Sequence, residues 1–202
     1  MKTFEELWRG IQERSRRWAI PIVQDYKELE YVFNLIKGCD SYFEVGTAEG
    51  NGLYVLAHAL KPSAKISIFD FGEKHTTPAR EEVFKILSER HEKAICTGDG
   101  LDFVRKAPEF PHRKYGNSHC VDVQKWTLGV FDVVFIDAGH SYEDVIADAI
   151  AYGHLATKYI IFHDICLPPV KQAVDWYLAQ NPQFKYHEFI NSPTFGYGII
   201  EV

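Results

Sequence analysis

The sequence predicts an α/β fold: a doubly wound, mostly parallel seven-stranded sheet of Rossmann-like type with helices on both faces. Two observations carry this. Short apolar runs alternate with helical stretches through most of the chain, and the first run ends in a glycine-rich turn. Size sets the scale, because 202 residues suit one α/β domain and are too few for two full enzyme domains.

Phe4, Leu7, Trp8, Ile11 and Trp18 recur near helical period among charged residues, which predicts an amphipathic helix covering a sheet edge. Pro21 stops it, and Tyr26, Leu29, Val32, Phe33 and Ile36 predict a second helix ending at Gly38. Residues 1–38 therefore read as a helical lead-in to a main domain over 39–202. Five strands are expected in SYFEV (41–45), KISIFDF (65–71), KAICTG (93–98), FDVVFID (131–137) and YIIFHD (159–164). Strands joined by helical crossovers lie parallel. After a helix over 170–178, KYHEFI (185–190) and YGIIEV (197–202), linked through NSP, predict a terminal antiparallel hairpin. The stretch 106–128 exceeds an ordinary α/β connection and reads as a loop inserted over the site.

Composition excludes several classes. Hydrophobic residues at 46% and charged residues at 25% are globular values, not those of a disordered chain. A net charge of -6 repels phosphate backbones and anionic lipid, so no nucleic-acid or membrane partner is expected. Cys39, Cys96, Cys120 and Cys166 form no CxxC pair, MKTFEELWRG lacks a signal-like apolar region, and no apolar run reaches membrane-spanning length. The expected location is the cytoplasm. Oligomeric state leaves no trace in the sequence.

In YFEVGTAEGNG, Glu44 closes a strand and Gly46, Gly50 and Gly52 precede a helical LYVLAHAL. Bare backbone and a helix N-terminus can there approach a ligand closely. The spacing is G-x-x-x-G-x-G with an acid two residues upstream, whereas a dinucleotide fingerprint needs G-x-G-x-x-G. EVGTAEG resembles the first motif of class I S-adenosylmethionine-dependent methyltransferases, especially O-methyltransferases. That resemblance implies cofactor contacts at Gly46, Thr47 and Gly50, with Glu44 organising the loop. Asp70 lies 24 residues after Gly46, where the doubly wound fold places an acid beside a ribose. The resemblance gives it the ribose hydroxyls and gives Asp99, in CTGDG, the adenine amine.

FIDAGHSYEDV similarly resembles the FID-x-x-HSYE signature of a branch that includes sugar and small-molecule O-methyltransferases, with coverage from about Phe43 to Val202. It implies strand order 3-2-1-4-5-7-6 and a small-molecule acceptor. Asp137 and the His163-Asp164 pair should emerge side by side from neighbouring strands. In metal-dependent relatives the corresponding acids hold a divalent cation, magnesium or manganese, which activates the acceptor oxygen. Asp137, His163 and Asp164 are the candidate ligands here, and His163 departs from the pattern by replacing an acid, which favours borderline cations over hard ones. His140 matches the position of a proposed general base, with Asp137 beside it in catalysis.

Other features are weaker. His112, His119 and Cys120 fit no standard zinc spacing, and there is no G-x-S-x-G elbow for a serine hydrolase. Trp8, Trp18, Phe110, Tyr115, Trp126, Phe195 and Tyr197 are candidates for an acceptor pocket or for packing. Two other readings stay open: a non-catalytic nucleoside-binding module on the same fold, and an NAD-linked oxidoreductase.

Overall fold

The computed structural model describes residues 2–69, 77–91, 94–97 and 129–202. Asp70, Asp99 and the expected loop over 106–128 lie outside these residues.

Two helices open the chain, α1 (Phe4–Trp18) and α2 (Tyr26–Leu35). A capping box starts α1: the Glu6 amide donates to Thr3 Oγ1 at 3.3 Å and the Thr3 amide to Glu6 Oε2 at 2.7 Å. Ala19, left-handed at φ 52°, ends it. Asp25 caps α2 by accepting from the Lys27 and Glu28 amides. The strands are β1 (Ser41–Val45), β2 (Lys65–Phe69), β3 (Ala94–Thr97), β4 (Phe131–Ile136), β5 (Ala156–His163), β6 (Lys185–Phe189) and β7 (Tyr197–Glu201). Further helices are α3 (Asn51–Ala59), α4 (Pro78–Arg90), α5 (Tyr142–Tyr152) and α6 (Pro168–Gln180).

One seven-stranded sheet runs in the order β3-β2-β1-β4-β5-β7-β6. The first five strands pair in parallel, and β7 is antiparallel to both its neighbours. This is the expected doubly wound sheet with its terminal hairpin. Strand β5 starts three residues before the apolar run, because its exposed first turnings are held by polar contacts: Thr157 Oγ1 donates to the Phe131 carbonyl at 3.1 Å and Lys158 reaches Asp132 at 2.9 Å.

Alternate residues of each strand face opposite layers. Tyr42, Ile66, Ile68, Val133 and Phe135 pack with α1 to α4, while Phe43, Val45, Val134, Ile136 and Phe162 pack with α5 and α6. The α1 helix does not cover a sheet edge. Its Phe4, Leu7 and Ile11 are buried against the α3 layer, and the edges belong to β3 and β6. The lead-in helices also carry buried charges. Arg14 and Glu28, from α1 and α2, are buried to 4% and 0% exposure.

Candidate active site

The site lies where parallel strands end. Strand β1 leads into Gly46, whose amide donates to the Phe69 carbonyl at 2.8 Å, while the Asp137 amide donates back to the Val45 carbonyl at 2.8 Å. Gly46 has φ +85°, and a Cβ there would lie 2.2 Å from the Asp137 carbonyl oxygen and 2.6 Å from Ala138 Cα. Only glycine lets the two loops touch backbone to backbone. The chain then turns through Ala48, left-handed at φ 45°, to Gly50, left-handed at φ +76°, which opens α3. No side chain caps this helix among the described residues, so its first amides are available to an anionic or polar ligand group. Asn51, buried at 3% exposure, has its Oδ1 taken by Arg14, and its Nδ2 finds no acceptor among the described residues. That buried donor and the uncapped helix fit a polar cofactor.

Of the expected cofactor residues, Gly46, Thr47 and Gly50 lie together in this turn, with Thr47 buried. Glu44 sits beneath it at 3% exposure, and its Oε2 accepts the Tyr42 hydroxyl at 2.6 Å. Asp70 and Asp99 fall outside the described residues.

The second cluster occupies the ends of β4 and β5. Donor atoms of Asp137, His163 and Asp164 lie within 4.8 Å of one another. His163 Nδ1 is 3.1 Å from Asp137 Oδ1 and 3.4 Å from Asp164 Oδ2; His140 Nε2 is 3.1 Å from Asp164 Oδ2 and 3.7 Å from Asp137 Oδ1. His163 therefore faces carboxylates. Asp164 adopts φ 59°, a strained conformation for a non-glycine residue that aims its carboxylate at both imidazoles. Ser141 caps α5 behind His140 by accepting the Asp144 amide at 3.1 Å.

Two carboxylates and two imidazoles set each other's charge. Hydrogen bonds to Asp137 and Asp164 raise His140 to about 10, against a smaller opposing effect of burial. Burial opposes the charge on His163, but the Asp137 charge and hydrogen bond override it and also raise the ring to about 10. Burial likewise opposes the Asp164 charge, yet the two imidazoles hold its carboxyl well below the usual carboxylate range. Two oxygen donors and one nitrogen, preorganised around a shared point, fit a divalent cation of borderline softness. The remaining His163 nitrogen, Nε2, is buried without a partner among the described residues.

Aromatic rings close this side. His163 stacks on Phe195 at 5.8 Å between centroids with 13° between planes, and Tyr197 lies at 4.8 Å. Trp8 packs on the core, Trp18 is exposed and donates to Glu82 at 3.0 Å, and Phe110, Tyr115 and Trp126 lie outside the described residues. Sequence reasoning missed how the turn carrying Phe195 is held. Glu28 Oε1 accepts from the Asn191 and Ser192 amides, both at 2.7 Å, and Oε2 accepts from Gly196 at 2.9 Å. The missed signal is positional: Glu28 stands one helical turn before the buried Val32, and Arg14 one turn after the buried Ile11.

The fold and these loops define an α/β domain whose ligand crevice lies at the carboxyl ends of neighbouring strands. The model of a methyltransferase domain matches residues 43–165, and the chain belongs to that family. Solved structures of the same fold include cofactor-bound Rv0187 from MTB, at TM-score 0.68 and 15% identity over 97% of this chain and 89% of that one. The O-methyltransferase TomG of Streptomyces achromogenes, involved in tomaymycin synthesis and solved with S-adenosylmethionine, gives 0.63 and 14% over 98% and 89%. An O-methyltransferase from Bacillus cereus with S-adenosylhomocysteine gives 0.63 and 18% over 100% and 92%. No curated protein sequence matches this chain. Among the described residues no helix is long and apolar enough to cross a membrane.

Proposed function

We propose that the chain transfers the methyl group of S-adenosylmethionine to a hydroxyl oxygen of a small-molecule acceptor. One observation carries the reading: the Gly46 contact with Asp137 and Ala138 sets an open, glycine-built ligand turn directly against a cluster of acids and imidazoles. In this reading Gly46, Thr47, Gly50 and the α3 amides hold the cofactor, Glu44 supports the turn from beneath, and Asp70 and Asp99 take ribose and adenine. The solved methyltransferases that carry S-adenosylmethionine or its product on the same fold support this.

The reaction is an in-line displacement. The acceptor oxygen forms a bond to the methyl carbon as the carbon–sulfur bond breaks, the sulfonium becomes a neutral thioether, and the hydroxyl proton leaves. Opposite charges annihilate, so a site that excludes water and aligns oxygen, carbon and sulfur favours the transition state. Asp137, His163 and Asp164 are proposed to hold a divalent cation, which when bound would polarise the acceptor oxygen and would take the place of the proton on the His163 ligand nitrogen. His140, 47% exposed at the mouth of the cluster, is the proposed base. The carboxylates of Asp137 and Asp164 raise its pKa, so it takes the hydroxyl proton in its neutral form, after its own proton has passed to solvent.

Calorimetric titration with S-adenosylhomocysteine and with NAD tests the cofactor. Binding of the sulfur compound alone is expected, and binding of NAD alone would overturn the reading. With hydroxylated acceptors, Asp137→Ala and His140→Ala are expected to lower S-adenosylhomocysteine release by about 10²–10⁴-fold. Unchanged release in both variants would remove those roles, and release surviving exhaustive chelation would remove the cation.

A further inference from the structure

We propose that Arg14, together with Thr77, is a clamp that positions the cofactor turn from behind; this deepens the cofactor reading above and rests on it. Arg14 projects from α1 into the α3–α4 layer and is only 4% exposed. Its Nε donates to Asn51 Oδ1 at 3.3 Å, and its Nη2 donates to the Glu49 carbonyl at 3.3 Å and to the Ala79 carbonyl at 2.7 Å. The Nη1 atom lies 3.3 Å from Glu82 Oε2. One planar cation thus grips the turn at Glu49, the first residue of α3 at Asn51, and the start of α4 at Ala79.

A second link reinforces it. The Thr77 hydroxyl donates to Glu49 Oε2 while accepting the Arg80 amide at 3.2 Å. Glu49 is therefore held at its carbonyl by α1 and at its side chain by the first cap of α4. The turn needs outside support because Ala48 and Gly50 both adopt left-handed backbone and no side chain caps α3 among the described residues. A lysine could reach one of these acceptors but could not span them, because its ammonium lacks the guanidinium fork. Arg14 touches neither cofactor nor acceptor in this scheme and acts only through the turn.

The test measures affinity for S-adenosylhomocysteine by calorimetry alongside thermal unfolding, in the full chain. Arg14→Lys is expected to weaken binding by about tenfold. Arg17→Ala, which removes one exposed partner of Glu82 on the same helix, is expected to bind within about twofold of wild type. Glu28→Gln, which disturbs a buried charge on α2 away from the turn, should lower the unfolding midpoint yet keep its affinity within the same margin. Thr77→Val should weaken binding by about threefold and Thr77→Ser should restore it, which keeps the clamp testable should Arg14→Lys fail to fold. Wild-type affinity in both Arg14→Lys and Thr77→Val would overturn the clamp, as would an equal loss in Glu28→Gln, since a general loss of stability would then explain all three. A wild-type chain that binds no S-adenosylhomocysteine would overturn the cofactor reading and the clamp with it.

Discussion

The two rims of the crevice are built from opposite materials. At the end of β1 the working surface is backbone: glycines, a left-handed alanine and open helix amides, braced from behind by a buried cation that grips carbonyl oxygens. At the ends of β4 and β5 the working surface is charged side chains, and the neighbouring β6–β7 turn is braced by a buried anion that grips amides. Both braces come from the lead-in helices. A rim made of backbone needs its geometry fixed, whereas a rim made of ionised groups needs its charges balanced. Helices α1 and α2 supply the first need for one rim and hold the aromatic cover of the other.

The two rims meet at Gly46. Gly46→Ala drives a Cβ to within 2.2 Å of the Asp137 carbonyl oxygen at φ +85°. The left-handed conformation and the overpacking together should cost about 3–5 kcal/mol in urea unfolding. Gly38→Ala shares the conformation at φ +80° but meets nothing within 4 Å, so it should cost only about 1–2 kcal/mol. Equal losses at the two positions would mean that the contact between the rims carries no strain.

Next in size is Glu28→Gln. The carboxylate accepts three amides in full burial, and glutamine offers one oxygen while its own amide group confronts an N–H. A loss of about 2–3 kcal/mol is expected. The disturbance should concentrate at the stack of Phe195 on His163, so His163 ring resonances should move while those of His58, in α3, stay in place. Shifts of equal size at both histidines would dissolve the distinction between two separately braced rims.

Most of the architecture was legible because it rests on period and punctuation. Apolar runs mark the strands, the acid-glycine turn and FIDAGHSYEDV mark the two rims, and neighbouring strand ends predict that Asp137 meets His163 and Asp164; the approach of His140 to Asp164 is visible only in three dimensions. The seven-strand order came from family resemblance, since alternation alone does not say where a crossover lands. The braces were illegible for a physical reason. RSRRW and KELE look like solvated helix faces, and only the continuation of a buried stripe, Leu7 to Ile11 to Arg14, reveals that a charge takes a core position. What makes burial tolerable lies elsewhere in sequence: Glu49 and Ala79 carbonyls for one charge, amides at 191, 192 and 196 for the other. No local pattern announces backbone partners.

The smallest effect separates the rims by pH. His58 lies in α3, behind the backbone-built rim, buried with its Nδ1–H donating to the Tyr54 carbonyl at 2.7 Å. Burial lowers its pKa from 6.5 to about 4, only partly opposed by that hydrogen bond, and burial lowers nearby His91 as well. The unfolded chain therefore takes up protons that the folded chain refuses. Stability is complete above pH 6.5 and falls as pH drops from there towards 4, with His58 contributing about 2–3 kcal/mol over the full window. His140 and His163 act in the opposite sense, because their raised pKa values keep them protonated in the folded chain while the unfolded imidazoles lose protons near pH 6.5; that contribution is complete, and its slope gone, only below about pH 5.5. Urea unfolding should accordingly show a decline of about 1 kcal/mol between pH 5.5 and pH 4.5, and His58→Asn should flatten that decline even if it lowers stability at pH 7. A midpoint that holds constant over the interval in the wild-type chain would show that His58 is not kept neutral, and an unaltered decline in the variant would move the acid sensitivity to His91.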